Sequence, residues 1–181
     1  MIKKIYGNLY VVAGLWAAFL GYGFYLFNYS IYPHLKVLSK GMDLPEEIFG
    51  ATWDYQTVFV DELAKSGVAQ YATFQWLDFV NALLLGIVLS ATICLILSKL
   101  EAAKAFYAVA AVPLLTSIAD FIENGIMIAN LGNFPDLDKG LSGWFMTFTQ
   151  IKLILGSLSF LILLICIVAL AVTVISKRLG K

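Results

Sequence analysis

Residues 105–131 read AFYAVAAVPLLTSIADFIENGIMIANL, an apolar run interrupted by Asp120, Glu123 and Asn124. A helix needs about 20 apolar residues to cross the hydrocarbon core of a bilayer, and this run is longer than that. It predicts a membrane span whose acids lie where charge is costly. Three more runs of the same kind occupy about 5–31, 71–97 and 144–175. The chain is 181 residues long, 61% hydrophobic and 13% charged, with a mean hydropathy of +0.86. A water-soluble domain is usually about half apolar and a quarter charged. An ordinary soluble globule is therefore excluded. Four Pro and two Cys exclude collagen-like, disordered and disulfide-built chains, and 12 basic against 12 acidic residues argue against a nucleic-acid binder. The expected fold is all-α: one membrane domain over 1–181, an antiparallel bundle of four transmembrane helices.

Lys3 and Lys4 before an apolar run have the look of a signal peptide. The run instead ends in Phe24, Tyr25, Phe27 and Tyr29, with no small-residue cleavage site, which predicts a retained helix. The links between spans are unequal: a tight turn at 98–104, a short loop at 132–143 and a long excursion at 32–70. Lys3, Lys4, Lys99, Lys104, Lys177, Arg178 and Lys181 fall on one side, and Lys36, Lys40, Lys65 and Lys139 on the other. By the positive-inside rule both termini are cytoplasmic and the excursion lies outside the cell or inner membrane. That outer side also carries Asp43, Glu46, Glu47, Asp54, Asp61, Glu62, Asp136 and Asp138, read as surface acids, and Tyr29, Tyr32, Tyr71, Trp76 and Trp144 form its aromatic belt.

The excursion is expected to be partly helical. Asp43-Leu-Pro-Glu-Glu has a helix-start pattern, and Asp54 is placed as the cap of a helix that stops near Gly67. On it Tyr55, Val58, Phe59 and Leu63 share a face that packs on the bundle, closes over a cavity as a lid, or docks a partner. Cys94 and Cys166 lie inside spans with no partner spacing, and read as small buried residues.

Four ionisable residues fall within the spans: Asp78, Asp120, Glu123 and Lys152. Each costs ~2.5–3.5 kcal/mol at a helix centre, so they should face the bundle interior and find partners. At a helical rise of ~1.5 Å per residue, all four lie ~10–17 Å below the outer boundary, on three different helices. Their neighbours extend the pattern. Asp120, Glu123 and Asn124 share one face with Thr116; Gln75, Asp78 and Asn81 recur every three residues; Thr149, Lys152, Gly156 and Ser159 form a third stripe. Tyr22, Tyr25 and Asn28 are added from the first helix, which also has a small-residue seam of Gly14, Ala18 and Gly21. The inner half is almost purely apolar. These residues predict a polar pocket that opens outward.

Three acids with one Lys require protonated carboxyls, a bound cation or water. Lys152 repels a cation, and the only histidine, His34, is too few nitrogen ligands for zinc, so no metal site is expected. Asp120, Glu123 and Lys152 are the candidate catalytic residues, the acids as general acid or base and the ammonium as holder of an anionic group. Asp78, Asn81, Asn124, Tyr22, Tyr25, Asn28 and Thr149 are candidate binding residues. The residues leave the cofactor unknown.

The segment Ser117-Ile-Ala-Asp120-Phe-Ile-Glu123-Asn124, the Lys early in the next span and Trp76-Leu-Asp78 in the preceding one resemble a group of uncharacterised small bacterial membrane proteins with four spans and D-x-x-E-N on the third. The resemblance covers three of the four helices and implies architecture only. The long outer loop also resembles the tetraspan and claudin layout, but the loop cysteines of those proteins are absent here, so both are rejected.

Three functions are compatible with these residues. One is a pocket that binds, or does acid–base chemistry on, a lipid or small amphiphile. A second is an accessory subunit of a membrane complex, with the cluster as interhelical glue. A third is a small proton-coupled transporter acting as a homo-oligomer.

Overall fold

The computed structural model describes residues 8–179. It is all-helical: α1 (Leu9–Asn28), α2 (Tyr32–Leu38), a 3₁₀ turn Pro45–Glu47, α3 (Trp53–Lys99), a 3₁₀ helix Lys104–Ala111, α4 (Val112–Leu131) and α5 (Lys139–Leu179). Four stretches are long and apolar enough to cross a membrane: Leu9–Leu38, Trp53–Lys99, Lys104–Leu131 and Lys139–Leu179. Lys3, Lys4, Lys181 and the expected start of the first span at Ile5 lie outside the described residues.

Local chemistry moves several boundaries from their expected places. Pro33, at the start of α2, restarts the chain as a separate short helix after α1 ends at Asn28. The cap of α3 is Thr52, not Asp54: the Thr52 hydroxyl accepts the Tyr55 N–H at 3.2 Å, and Asp54 stands in the first turn. The break in α3 falls at Ala64 (φ 53°, ψ 179°), before Gly67, and the helix then runs on without a loop into the second span. The third span begins as a 3₁₀ helix, Lys104–Ala111, which gives way to α4 at Pro113: Pro113 has no N–H for the Val109 carbonyl, which accepts from Val112 instead. The fourth starts at Lys139, since the Asp138 carboxylate caps the Leu141 N–H at 2.8 Å.

Side-chain bonds give the register. Ser90 donates to Ala110 O, Ser117 to Ala82 O and Asn124 to Asp78, so numbers rise along α4 as they fall along α3. Glu123 meets Thr149, and Asn130 meets Ser142, in the same sense between α4 and α5. Trp16 bonds Thr92 and Tyr22 bonds Leu77 O between α1 and α3. The central helix is α3, with 56% of its most apolar window buried against 11% for α1 and α5. Where α3 and α4 cross, the backbones touch at Gly86. A Cβ there would lie 2.1 Å from Ser117 Oγ and 3.0 Å from Pro113 O. The expected seam of Gly14, Ala18 and Gly21 is exposed, and a Cβ added at either glycine would meet no other part of the bundle within 4 Å, because α1 meets the bundle through Val12, Trp16, Tyr22 and Leu26.

The excursion packs onto one end of the bundle, here called the loop end. Leu35, Leu44, Phe59, Leu63 and Tyr71 join Leu26, Met127, Leu131 and Phe145 in one apolar cluster. The buried stripe of the first part of α3 is Gln56, Phe59, Val60 and Leu63; Val58, expected on it, is half-exposed, and Tyr55 turns its hydroxyl to Asp43 O. The segment 44–47 is clamped from outside. Glu47 accepts the Leu44 N–H and the Tyr32 hydroxyl, and Lys36 pairs with both Asp43 and Glu47. At the opposite, basic end, Ile93, Ile96, Leu97, Ala110 and Cys166 form a separate apolar cluster.

Candidate functional site

Between the two apolar clusters lies a buried polar one. Lys152 Nζ on α5 is 2.5 Å from Glu123 Oε2 and 3.8 Å from Asp120 Oδ1 on α4. The other Glu123 oxygen accepts the Thr149 hydroxyl at 2.6 Å. Asp78 on α3 accepts from Asn124 at 3.3 Å and from Asn81 at 3.2 Å. Six expected residues thus meet: Asp78, Asp120, Glu123, Asn124, Thr149 and Lys152, with Asn81 at the edge. One turn toward the basic end, Thr116 meets Ser159 at 3.3 Å. Helical spacing brings this about: i, i+3 and i+4 positions point to one side, and the three stripes converge.

The first helix contributes little. Tyr25 is 52% exposed, and Asn28 is exposed and bonds its own helix at Phe24 O. Both are corrected out of the site: the face of α1 that meets α3 passes through Tyr22 and Leu26, and these two positions turn away from it. Tyr22 reaches the edge, where its hydroxyl donates to Leu77 O at 2.7 Å.

A fourth acid completes the cluster. Glu46, expected on the surface, is buried, and its carboxylate accepts from Tyr71 Oη at 2.5 Å and from Gln75 Nε2 at 2.7 Å. Tyr71, expected in the interfacial belt, is fully buried for the same reason. Burial pushes the Glu46 carboxyl up to about 7; the Tyr71 bond and the Lys152 charge oppose this, and the Glu123 charge adds to it. The expected opening is thus covered: Leu44, Pro45 and Glu46 are buried over the loop end of the cluster. An acid in a loop carries no local signal of burial. Only its position after the apolar pair Leu44-Pro45 hints at an inward turn.

The cluster has more acceptors than donors. Four carboxyls face one ammonium, a formal charge of −3 were all ionised. Among the described residues, six buried side-chain atoms find no hydrogen-bond donor within the protein, and all are oxygens, on Gln56, Gln75, Asn81, Asp120, Glu123 and Asn124. The Glu123 and Asp120 atoms both face the Lys152 charge, Glu123 much more closely. Such a site takes up hydrogen: protons on carboxyls or donors from a guest. A small internal cavity of about 20 Å³ adjoins Asp120, with Thr116, Ser117 and Ser159 on its wall, room for a single water. A groove of about 520 Å³ lies at the side, formed by Glu47 and Phe49 of the covering segment with Leu153, Ile154 and Ser157 of α5. Its residues adjoin Glu46 in one strand of chain and Lys152 in the other.

In comparison with known proteins, the chain matches no family model, no curated protein and no solved structure.

Proposed function

We propose that this chain is a multi-pass protein of a bacterial inner membrane whose buried carboxyl–ammonium cluster is an acid–base site for a lipid or small amphiphile. Its four spans run antiparallel, with both termini cytoplasmic and the 32–70 excursion outside. The register between helices supports the antiparallel reading, and the distribution of Lys and Arg supports the orientation. One observation carries the function: a side groove with part apolar, part polar walls is lined by Glu47 and Leu153, the chain neighbours of Glu46 and Lys152 in the acceptor-rich cluster. An amphiphile in that groove lays its chain along Phe49, Leu153 and Ile154 and brings its head toward Lys152. The ammonium then holds an anionic head, and Glu123, already in contact with it, gives or takes the proton. Asp120 and Glu46 store further protons, and the segment 44–47 moves aside to admit the head.

Photo-crosslinking with a diazirine fatty acid tests this. The probe should label α5 near Leu153 and Ile154 in the wild type. Ser157→Trp, at an exposed position in the groove, should abolish the label while the protein melts normally. Equal labelling in both proteins overturns the proposal.

A second reading rests on the same ion pair. Lys152–Glu123, Thr149–Glu123 and Asn124–Asp78 tie α3, α4 and α5 together, as interhelical polar contacts do in membranes. In an accessory subunit that tie is the whole role. Copurification with a partner at fixed stoichiometry, together with no labelling by the probe, selects it.

A further inference from the structure

The basic end carries a second groove, of about 380 Å³, between the turn after α3 and the C-terminal half of α5. Leu97, Leu100, Ala102 and Phe106 form one wall, Ile162 and Cys166 the other. Hydrocarbon in a bilayer has no reason to prefer such a groove, since lipid tails are as apolar as its walls. What sets it apart is the charge beside it. Lys99 and Lys104 lie in the same turn that supplies the first wall, and both are exposed. On α5 the wall continues to Ala169, and Lys177, two turns further on, falls on the same helical stripe, followed by Arg178. The one acid in this turn is Glu101, and none of the four cations pairs with an acid among the described residues. At the loop end two of the four lysines, Lys36 and Lys40, are paired with acids.

We propose that this groove seats one acyl chain of an anionic phospholipid whose headgroup phosphate is held by Lys99 and Lys104, with Lys177 closing the site from α5. The apolar groove fixes where the chain lies, and the unpaired cations select the head. Basic pockets between helices at a membrane surface bind anionic headgroups in this way. The inference needs the four helices to be spans and is independent of the acid–base reading, which concerns the other end.

The test compares binding of phosphatidylglycerol and phosphatidylcholine of equal chain length to the purified full chain, by native mass spectrometry from detergent. Two lysines near a headgroup together predict a preference for phosphatidylglycerol on the order of thirty-fold. Lys99→Gln with Lys104→Gln should erase that preference. Lys65→Gln with Lys139→Gln, exposed lysines at the loop end, should preserve it. Ala169→Trp, which fills the groove, should weaken retention of both lipids. Four outcomes overturn the proposal: a preference that survives the first pair, an equal loss with the second pair, retention unaffected by Ala169→Trp, or displacement of the lipid by glycerol phosphate alone. The last would make the site one for free phosphate. Both variant pairs alter exposed side chains, and matching melting curves separate lost binding from lost folding.

Discussion

At the basic end of the bundle Ile93, Ile96, Leu97, Ala110 and Cys166 meet as apolar surfaces, and the hydroxyls of Ser90, Thr92 and Ser98 donate to backbone carbonyls. Toward the loop end the helices instead meet through Glu46, Asp78, Asp120, Glu123 and Lys152, roofed by Phe59, Tyr71 and Phe145. The first half has no carboxyl or ammonium group in its interior. The second concentrates charge where the surroundings solvate it poorly, so its stability depends on protonation and on each partner being present. One bundle thus joins an inert half to a responsive one. Helices in a bilayer gain no hydrophobic drive from meeting each other, so the inert half holds by shape and close backbone approach, as at Gly86.

The sharpest way to break this contrast is Lys152→Met. It removes the only ammonium among four carboxyls and leaves Glu123 uncompensated, which should cost about 3–5 kcal/mol, read as a fall in unfolding free energy in detergent. An unchanged stability would mean that no ionised pair exists there.

Glu46→Gln should act with the opposite sign. A carboxyl at about 7 in the folded chain, against its ordinary 4.5, holds its proton more tightly folded than unfolded. Wild-type stability is then full below about pH 4.5, declines as pH rises to about 7, and above that stays lower by about 3 kcal/mol. The neutral variant lacks the decline: the two proteins should melt alike near pH 4 and diverge above pH 7, the variant higher. Melting curves across that range decide it, and parallel curves at every pH would sink the idea. The smallest effect belongs to the inert half. Ser90→Ala removes one hydroxyl bond to Ala110 O, 2.6 Å long, and should cost about 0.5–1.5 kcal/mol with no pH dependence.

Much of this site was legible before folding was considered. Asp78, Asp120, Glu123, Asn124, Thr149 and Lys152 stand out because charge and amide inside apolar runs are expensive, and because helical spacing puts each set on one face. The same logic failed on the first helix. Tyr25 and Asn28 share the composition of the cluster, but which face of α1 meets α3 depends on the packing of Trp16 and Tyr22, and that face leaves both outside. It failed again in the excursion, where Glu46 and Tyr71 look like surface residues. Gln75 was seen as part of a stripe without its partner, since that partner comes from a segment 29 positions away.

What the sequence by itself determined is the number of long apolar helices, their approximate limits and the level along them at which ionisable groups collect. These follow from local quantities: run length, helical period and the cost of burying charge. Only the tertiary structure decided that the excursion folds back, that Glu46 enters the cluster from above, and that its carboxyl is covered instead of open to the surface. Those outcomes depend on contacts between distant segments. Leu35, Leu44 and Phe59 bury against Met127 and Phe145, and Lys36 with Tyr32 clamps Glu47. Such contacts set the environment of an acid without leaving a trace in the residues beside it.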